Sequence, residues 1–487
     1  MILLLYFRPL PWSWTVPRPG PLLGVPLEGS AAFKIWRTVQ LPLLNKELLK
    51  VYDLSKNLDS IFRKAYYGGI VDVYRPHLTL VLDCPKARAG KGYYYDVNSL
   101  YPAAMCKPMP VGIPTLVNLT IPEFLENHFF GFLEVTVEAP LFNTDAGYIG
   151  LLPSKIRGRL LCPGGIFTGW YFSEEPRSWD SPGPRLRFAL KHGYRLISIK
   201  QAYSFQLGVN TFLGLIKDLN QMKIDAQEQG LPTIRNIAKL LMNSMSGRFG
   251  MHTEAVKHVL INPNELVNIS KNFQILDEIP LGRLYLVTLA LNQPNPIIGN
   301  KINTKIQKFL EGVPGNTNVA IAAAVTAYSR MIINQYKLKA LEQGLDIYYS
   351  DTDSIVLNGA LPENLVDSAI LGKFKLEHTL VLDCPKARAI KEGIFVMPKV
   401  YYLETTEGRV ITKCKGFSAK LNKAQYLELL KGNSLELTTT RWYRDLRNST
   451  VQIQKGTPYT INFSLNKRNQ VFENGIWVNT TPIILNL

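Results

Sequence analysis

Two acidic residues in the second half of this 487-residue chain are spaced as ligands of a metal ion would be. In IYYSDTDSIVL, Asp351 and Asp353 stand two positions apart between two β-forming runs. A tight turn at Asp351-Thr352-Asp353 would hold both carboxylates at the tip of a hairpin. Clustered carboxylates repel one another, so a cation usually stabilises them, and oxygen ligands suit Mg²⁺. On this stretch alone an ordinary turn is an equal alternative, because Asp, Thr and Ser are common turn residues.

A third carboxylate, Asp96, ends the aromatic run of YYYDVNSLYP. Taken alone, Asp96 is more typical of a helix cap or a turn. Beside an acidic hairpin, however, it supplies the third carboxylate that a two-metal phosphoryl-transfer site needs. The sequence therefore raises the hypothesis of phosphoryl transfer, which depends on the fold bringing distant segments together.

Polar residues recur every four positions in RNIAKLLMNSMSGRFG and predict one stripe along a helix. The stripe consists of Arg235, Lys239, Asn243 and Gly247, and the apolar face contains Ile234, Ile237 and Leu241. Two cations on a stripe that ends in a small residue could bind a triphosphate while a base approaches the backbone. The alternative, a solvated face of an amphipathic helix, is the commoner use of such a pattern.

The elements that must position these groups follow from hydrophobic periodicity. Residues 207–250 are predicted to be helical, and NVAIAAAVTAYSRMIINQYKLKALEQG is a long Ala-rich helix that ends at Gly344. Strand patterns occur in IVDVYRP, FGFLEVTVEAP and YRLISIKQAYSF, and KAQYLELLKG predicts a late helix. The first 33 residues, rich in Pro, Gly, Leu and Trp, predict an irregular extension.

Composition narrows the function classes. With 46% hydrophobic and 19% charged residues the chain is not intrinsically disordered. The net charge of +17 favours a polyanionic partner. Five cysteines without CxxC pairing argue against a zinc module and a secreted disulfide framework. The N-terminus is a poor signal peptide, and no charge-free apolar run reaches the 18 or so residues that a membrane span needs, so no membrane association is expected.

The three stretches, in this order, resemble the polymerase motifs of family B DNA polymerases, most closely the protein-primed branch of phages and linear mitochondrial plasmids. DVNSLYP resembles the first palm motif, KLLMNSMSG the fingers motif, and YSDTDS the second palm motif. Tyr66, Gly68 and Gly69 fit a YxGG element, and Lys399 with Tyr401 fits a KxY element. The resemblance implies an α+β, right-hand architecture with an antiparallel palm, helical fingers and a mixed thumb.

Site roles are carried over from the family motifs, residue by residue. Asp96, Asp353 and the Val97 carbonyl would bind two Mg²⁺ ions, or Mn²⁺ in their place, and Asp351 would orient the site. Tyr101 would select dNTPs against ribonucleotides. The nucleotide would contact Arg235, Lys239 and Asn243, and DNA would contact Tyr66, Gly68, Gly69, Lys399, Tyr401 and the lysines of TKCKGF, Lys413 and Lys415.

The resemblance also implies partners and a domain order. We expect a monomer that acts on DNA template-primer and dNTPs in mitochondria, and whether a separate terminal protein supplies the primer hydroxyl stays open. The predicted segments are an extension (1–33), a remnant of the exonuclease–polymerase junction (34–75), a first palm part with a terminal-protein-region-like insertion (76–205), fingers (206–260), a second insertion-like segment (261–316), a second palm part (317–420) and a thumb (421–487).

Three departures from the family pattern qualify this hypothesis. Ser246 stands where the family usually has Tyr, and fewer than a hundred residues precede Asp96, so we expect no proofreading exonuclease domain. The segment TLVLDCPKARA occurs twice, at 79–89 and 379–389, and both copies are expected to be exposed, poorly packed insertions. A catalytically impaired nucleic-acid-binding relic is the alternative to an active polymerase.

Overall fold

The computed structural model describes residues 32–33, 35–37, 54–79, 92–140, 149–174, 186–251, 256–271, 273–290, 318–377, 390–417, 420–445, 450–462 and 467–486. Its α-helices are α1 (Lys56–Arg63), α2 (Leu100–Met105), α3 (Ile121–Glu126), α4 (Leu186–Lys191), α5 (Leu213–Glu228), α6 (Pro232–Phe249), α7 (Leu266–Ser270), α8 (Val319–Glu342) and α9 (Lys423–Leu430).

The strands of the first half are β1 (Val71–Val73), β2 (His77–Thr79), β3 (Tyr93–Val97), β4 (Met109–Val117), β5 (Gly131–Glu138), β6 (Ser154–Ile156), β7 (Arg159–Leu161), β8 (Gly164–Ser173) and β9 (Arg195–Gly208). Those of the second half are β10 (Val256–Ile261), β11 (Gln274–Leu281), β12 (Leu284–Ala290), β13 (Ile347–Asp351), β14 (Ser354–Leu357), β15 (Phe374–Leu376), β16 (Ile390–Met397), β17 (Val400–Thr405), β18 (Val410–Cys414), β19 (Leu435–Asp445), β20 (Thr450–Ile461), β21 (Arg468–Glu473), β22 (Ile476–Pro482) and β23 (Ile484–Leu485).

A five-stranded antiparallel sheet in the order β1-β13-β14-β3-β15 lies at the centre, and we call it the central sheet. Strands from three distant parts of the chain meet in it. Because β3 pairs with both β14 and β15, the segment that carries Asp96 becomes a neighbour of the segment that carries Asp353.

The long helix α8 packs against the central sheet and against α1, α2 and α6. Asn318 caps its start, because the side-chain oxygen accepts hydrogen bonds from Ala320 N at 3.1 Å and Ile321 N at 3.4 Å. Every residue from Val319 to Asn334 is buried, which explains the Ala-rich composition: small side chains let neighbouring elements approach the helix on all sides.

The segment predicted as one helical stretch over 207–250 is divided in two. Strand β9 extends through Gly208, and α5 and α6 form an antiparallel pair separated by a short turn with Gly230 at φ 66°. The sequence signal for this break was present, since Gly230 precedes Leu231-Pro232. Pro232 occupies the first turn of α6, where a missing N–H costs nothing.

The C-terminal segment returns to the central sheet. Thr480 in β22 donates its hydroxyl to the carbonyl groups of Val73 at 3.1 Å and Tyr74 at 2.9 Å, just past β1. Strand β23 then pairs in parallel with β8 and forms one edge of the sheet β23-β8-β5-β9-β4. The long hairpin β19–β20 contacts α9, and Ile461 at the end of β20 packs in one core with Tyr426 and Leu429 of α9.

The duplicated segment lies almost wholly outside the described residues, so its expected exposure stays a prediction. Thr79, the first residue of one copy, is exposed and ends β2. The residues that follow the two copies meet in one bridge, in which Gly92 N donates to Ile390 O at 2.8 Å. In the described part of the chain, no helix has the length and apolar character needed to cross a membrane.

Candidate active site

The acidic hairpin predicted from the sequence is formed by β13 and β14, which pair at Asp351 and Ser354. The connection is only two residues long, Thr352 and Asp353, and Thr352 adopts a left-handed conformation with φ 56°. Its N–H donates to Ile70 O at 2.9 Å, and Asp353 N donates to Asp351 O at 2.6 Å. The turn is thus held both internally and by the segment that leads into β1.

Asp96 is opposite Ser354 in the pairing of β3 with β14. The N–H of Val97 donates to the carbonyl of Asp353 at 2.7 Å, which ties the two carboxylate-bearing segments together through their backbones. Tyr94 donates its hydroxyl to Ser354 Oγ at 3.0 Å, and Ser354 Oγ donates to Asp351 O at 3.3 Å. Asp96 and Asp353 are therefore placed by strand pairing rather than by a mobile loop.

The electrostatics of this cluster are unbalanced. Burial, followed by the nearby charge of Asp96, raises the pKa of Asp353 to about 6. Burial also raises the pKa of Asp96, against the opposing influence of Lys375. Asp351 has a cation of its own, since Lys399 Nζ lies 3.2 Å from its Oδ2. Asp353 makes no ion pair within the described residues and receives only a weaker opposing influence from Lys375, so it is the least compensated of the three carboxylates.

The donor set suits a hard divalent cation. Asp96, Asp353 and the Val97 carbonyl offer only oxygen ligands, which Mg²⁺ and Mn²⁺ prefer. Among the described residues, no group of three His, Cys, Asp or Glu side chains is close enough to hold a metal by itself. The arrangement fits two carboxylates that need further oxygens, such as those of a nucleotide triphosphate, to complete coordination.

The predicted cationic stripe lies on the exposed side of α6. Lys239 and Asn243 are exposed, while Arg235 donates from Nε to Gln227 Oε1 on α5 at 3.1 Å. Lys239 is near enough to Asp96 to lower the pKa of that carboxyl. Ser246 donates its hydroxyl to Asn243 O at 3.3 Å, within its own helix. A serine offers no aromatic surface at this position.

Lys223 on α5 adds a buried cation that the motif analysis missed. Its Nζ donates to Asn98 Oδ1 at 3.4 Å, and Asn98 also holds the segment before β15 by donating to Ser368 O at 3.0 Å. Burial, with the charges of Arg235 and Lys239 next in importance, lowers the pKa of Lys223 to about 8. An incoming polyanion would relieve this crowding of positive charge.

Tyr101 and the Tyr66–Gly69 segment meet around the buried guanidinium of Arg330. Arg330 is 3% exposed and donates from Nη1 to Gly68 O at 3.0 Å and to Tyr67 O. Burial lowers its pKa to about 10. Burial raises the pKa of Tyr101, whose hydroxyl also experiences the charges of Arg330 and Asp353. Tyr101 therefore lies within electrostatic range of the acidic turn.

The two glycines of this segment have different surroundings. A Cβ on Gly69 would lie 2.4 Å from Thr352 Cγ2, whereas a Cβ on Gly68 would meet nothing within 4 Å. Neither glycine has a positive φ. Gly69 is thus required by the close approach of the acidic turn, a role that the sequence did not indicate.

Two of the residues assigned to DNA contact, Lys399 and Tyr401, lie beside Asp351. The Lys399 N–H donates to Tyr349 Oη at 2.9 Å, and Tyr349 in turn donates to Asp351 Oδ2 at 3.4 Å. Tyr401 packs on Tyr349 with ring centroids 5.3 Å apart. The side chains of Lys413 and Lys415 are exposed on and just after β18, next to Lys399.

Comparison with known proteins decides the family. The sequence profile described as DNA polymerase type B, organellar and viral, matches residues 27–340. The chain belongs to this family. The family resemblance recognised in the motifs is therefore confirmed.

Relatives of this family B chain include a probable DNA polymerase of Podospora anserina, 32% identical over 460 residues, which cover 88% of this chain and 34% of the relative. The DNA polymerase of Bacillus phage phi29 is 24% identical over 423 residues, 83% of this chain and 62% of the phage protein. The chain thus spans about a third of the length of three curated fungal relatives that it matches.

Solved structures confirm the α+β polymerase fold of the family B chain. Phi29 DNA polymerase, in a complex with primer-template DNA and incoming nucleotide, superposes with a TM-score of 0.56 at 18% identity, covering 90% of this chain and 67% of that one. The orthorhombic crystal form of phi29 DNA polymerase gives a TM-score of 0.55.

The groups missed by sequence analysis share one property, which is that their partners are distant in the chain. Arg330 contacts residues more than 250 positions away, and Lys223 contacts Asn98. The sequence did contain a signal for Arg330, which is an isolated cation within an otherwise apolar run of α8. Such a residue must find internal partners, because an unpaired buried charge is costly.

We expect Gly69→Ala to reduce the free energy of unfolding by about 1–3 kcal/mol, because its Cβ would overpack against Thr352. Gly68→Ala is the matched control and should change stability by less than about 0.5 kcal/mol. Urea unfolding of both variants measures the difference.

Thr352→Gly in the Gly69→Ala background should recover most of the loss, because it removes the side chain that the new methyl group meets and suits the left-handed φ. Equal losses for the two alanine variants, or no recovery in the double variant, would show that Gly69 does not support the acidic turn.

Proposed function

We propose that this chain is a template-directed DNA polymerase that extends a 3′-hydroxyl with dNTPs by two-metal phosphoryl transfer. The observation that carries the proposal is the placement of Asp96 on β3 beside Asp353 in the turn between β13 and β14, where Val97 N donates a 2.7 Å hydrogen bond to Asp353 O. A cationic helix face with Lys239 lies within electrostatic range of Asp96. Carboxylates that could bind a metal ion and a cation that could bind a triphosphate thus lie close to one another.

Asp96, Asp353 and the Val97 carbonyl would hold Mg²⁺, and Mn²⁺ could replace it. Bound ions would stabilise negative charge on the attacking and leaving oxygens. Asp351 would orient the turn through its contacts with Lys399 and Tyr349 rather than bridge the metals. The chain's own contribution is then positioning and charge neutralisation.

Arg235, Lys239 and Lys223 would neutralise the triphosphate, and Asn243 would help to position the nucleotide. The ring of Tyr101 would lie under the incoming sugar and exclude a 2′-hydroxyl. Lys399 and Tyr401 would hold the primer strand, and Lys413 and Lys415 would contact the template. DNA would also contact Tyr66, Gly68 and Gly69. The net charge of +17 supports sequence-independent binding of phosphates.

The biological setting follows from the family, whose members are organellar and viral. We include mitochondrial action, monomeric function and DNA replication in the proposal. Priming by a terminal protein is included because Bacillus phage polymerases are among the relatives.

A catalytically impaired relic is the second candidate, and Ser246 is the observation that favours it. A tyrosine at this position in the motif would supply an aromatic face, whereas Ser246 uses its hydroxyl within its own helix. Loss of such a surface would weaken the pocket for the nascent base pair without removing the metal ligands. The two candidates differ in whether nucleotides are incorporated at all.

Primer extension with Mg²⁺ and dNTPs separates the candidates. We expect Asp353→Asn to lower the extension rate by roughly a hundred- to a thousandfold, because it removes a ligand charge at the reacting phosphate. Asp277→Asn, on an exposed position of β11, is the charge-matched control and should extend like wild type. Background activity in wild type and variant alike would favour the relic.

The extension rate at limiting Mg²⁺ should fall as the pH is lowered through about 6, the pKa to which burial and Asp96 raise Asp353. The metal binds the ionised carboxylate, and lowering the pH protonates Asp353. Metal binding, and with it the extension rate, is therefore lost on the acidic side. Raising Mg²⁺ should move the midpoint to lower pH, because metal competes with the proton. A midpoint that does not respond to Mg²⁺ would exclude Asp353 as the titrating ligand.

Tyr101→Val should increase ribonucleotide incorporation relative to dNTP incorporation by roughly ten- to a hundredfold, since it removes the ring that would clash with a 2′-hydroxyl. The ratio of kcat/KM for a ribonucleotide and its matching dNTP measures this selectivity. Tyr101→Phe retains the ring and should retain the discrimination. An unchanged ratio in Tyr101→Val would make the assignment of Tyr101 wrong.

A further inference from the structure

Lys375 makes a contact with the acidic site that no motif explains. It is directly opposite Asp96 in the pairing of β15 with β3. Its Nζ lies 3.3 Å from Asp96 Oδ1 and 2.5 Å from Glu377 Oε1. Because Lys375 and Glu377 are two residues apart, they project from the same face of the sheet. One ammonium group is thus shared between the predicted metal ligand and a second carboxylate.

We propose that Lys375 is an internal cation that neutralises Asp96 until divalent metal arrives, and that Glu377 holds the displaced ammonium afterwards. The inference rests on the proposed function, because it assigns Asp96 to metal binding. It concerns, however, the metal-free protein and its affinity for the ion, both of which are measurable without nucleotide incorporation.

Repulsion between the carboxylates of Asp96 and Asp353 is the reason why the metal-free protein needs an internal cation. Asp96 and Asp353 are brought together by strand pairing whether or not metal is bound, so the metal-free fold must tolerate two neighbouring carboxylates. Lys399 compensates Asp351, and Lys375 compensates Asp96. Within the described residues, no ion pair includes Asp353. The remaining uncompensated carboxylate would then be the first to attract a cation.

A lysine suits this exchange better than an arginine. Its ammonium is a compact charge with three donors on a flexible stem, so it can bind two carboxylates and move between them. Burial lowers the pKa of Lys375, but Glu377 and Asp96 together raise it above its ordinary value, so the group remains charged. About a third of each of the Lys375 and Glu377 side chains is exposed, which leaves room for the movement.

Metal affinity should therefore be lower than the oxygen ligands alone would give, since the ion must displace a cation. We expect Lys375→Met, which keeps the length of the side chain but not its charge, to bind Mn²⁺ about tenfold more tightly than wild type. This is the effect of losing one charge-assisted hydrogen bond in competition with the metal. The free Mn²⁺ signal in electron paramagnetic resonance measures the affinity of the full chain without nucleotide or DNA.

Two variants control for the loss of charge. Lys373→Met removes a positive charge two residues away, and within the described residues Lys373 makes no ion pair, so a general field effect would appear there as well. Lys375→Arg keeps the charge at the site and should bind Mn²⁺ no more tightly than wild type does. Only tighter binding in Lys375→Met, without tighter binding in these two variants, fits an internal cation.

Thermal unfolding, measured without and with metal, gives a second readout. In EDTA, Lys375→Met should unfold at a lower temperature than wild type, because Asp96 loses its counter-ion. In saturating Mg²⁺ the gain in Tm should be larger for Lys375→Met than for wild type. Lys375→Ala repeats both measurements with a smaller side chain, should the methionine variant pack poorly.

Mn²⁺ affinity that is unchanged or weaker in both Lys375→Met and Lys375→Ala would overturn the inference. A small Tm gain with Mg²⁺ in these variants would do so as well. Tighter metal binding in a chain that extends no primer would instead reject the proposed function while leaving Lys375 as the internal cation. Primer extension with unchanged metal affinity would reject the inference alone.

Discussion

Repulsion between Asp96 and Asp353 is the constraint on which the rest of the structure depends. Two carboxylates held side by side by backbone pairing lose solvation and repel one another, and the raised pKa of Asp353 records that cost. The fold tolerates this cost because the two carboxylates are placed by backbone hydrogen bonds and not by an attraction between the side chains. Strand pairing among β13, β14 and β3 and the hydrogen bonds of the turn are made by backbone groups that must be satisfied in any case.

The groups around this pair divide into those that fix geometry and those that fix charge. Gly69 and Thr352 belong to the first kind, because their close approach determines where the turn lies. Arg330 belongs there too: it is a cation, yet it donates to backbone carbonyls and so anchors the segment before β1 to α8. Lys375 and Lys399 belong to the second kind, since each lies against a carboxylate and is exposed enough to move.

Sequence analysis predicted the parts of the site that depend on short spacing. The hairpin at Asp351 and Asp353 and the helical stripe through Lys239 are local patterns, and the structure has both. Lys375, Lys223 and Arg330 were missed because their significance lies in a partner far along the chain. A lysine in GKFKLEH has no special appearance until β15 pairs with β3, since strand register decides which residue it faces.

Charge compensation also explains why cations from different elements point at one place. Lys223 and Lys239 come from the helix pair α5–α6, Lys375 from the central sheet and Lys399 from the turn before β17. Neither Lys223 nor Lys239 forms an ion pair within the described residues, and burial together with the neighbouring positive charges lowers the pKa of Lys223. The metal-free protein therefore has excess negative charge at the sheet and excess positive charge at the helices. A metal-bound triphosphate carries both complementary charges, so its binding would relieve both excesses at once.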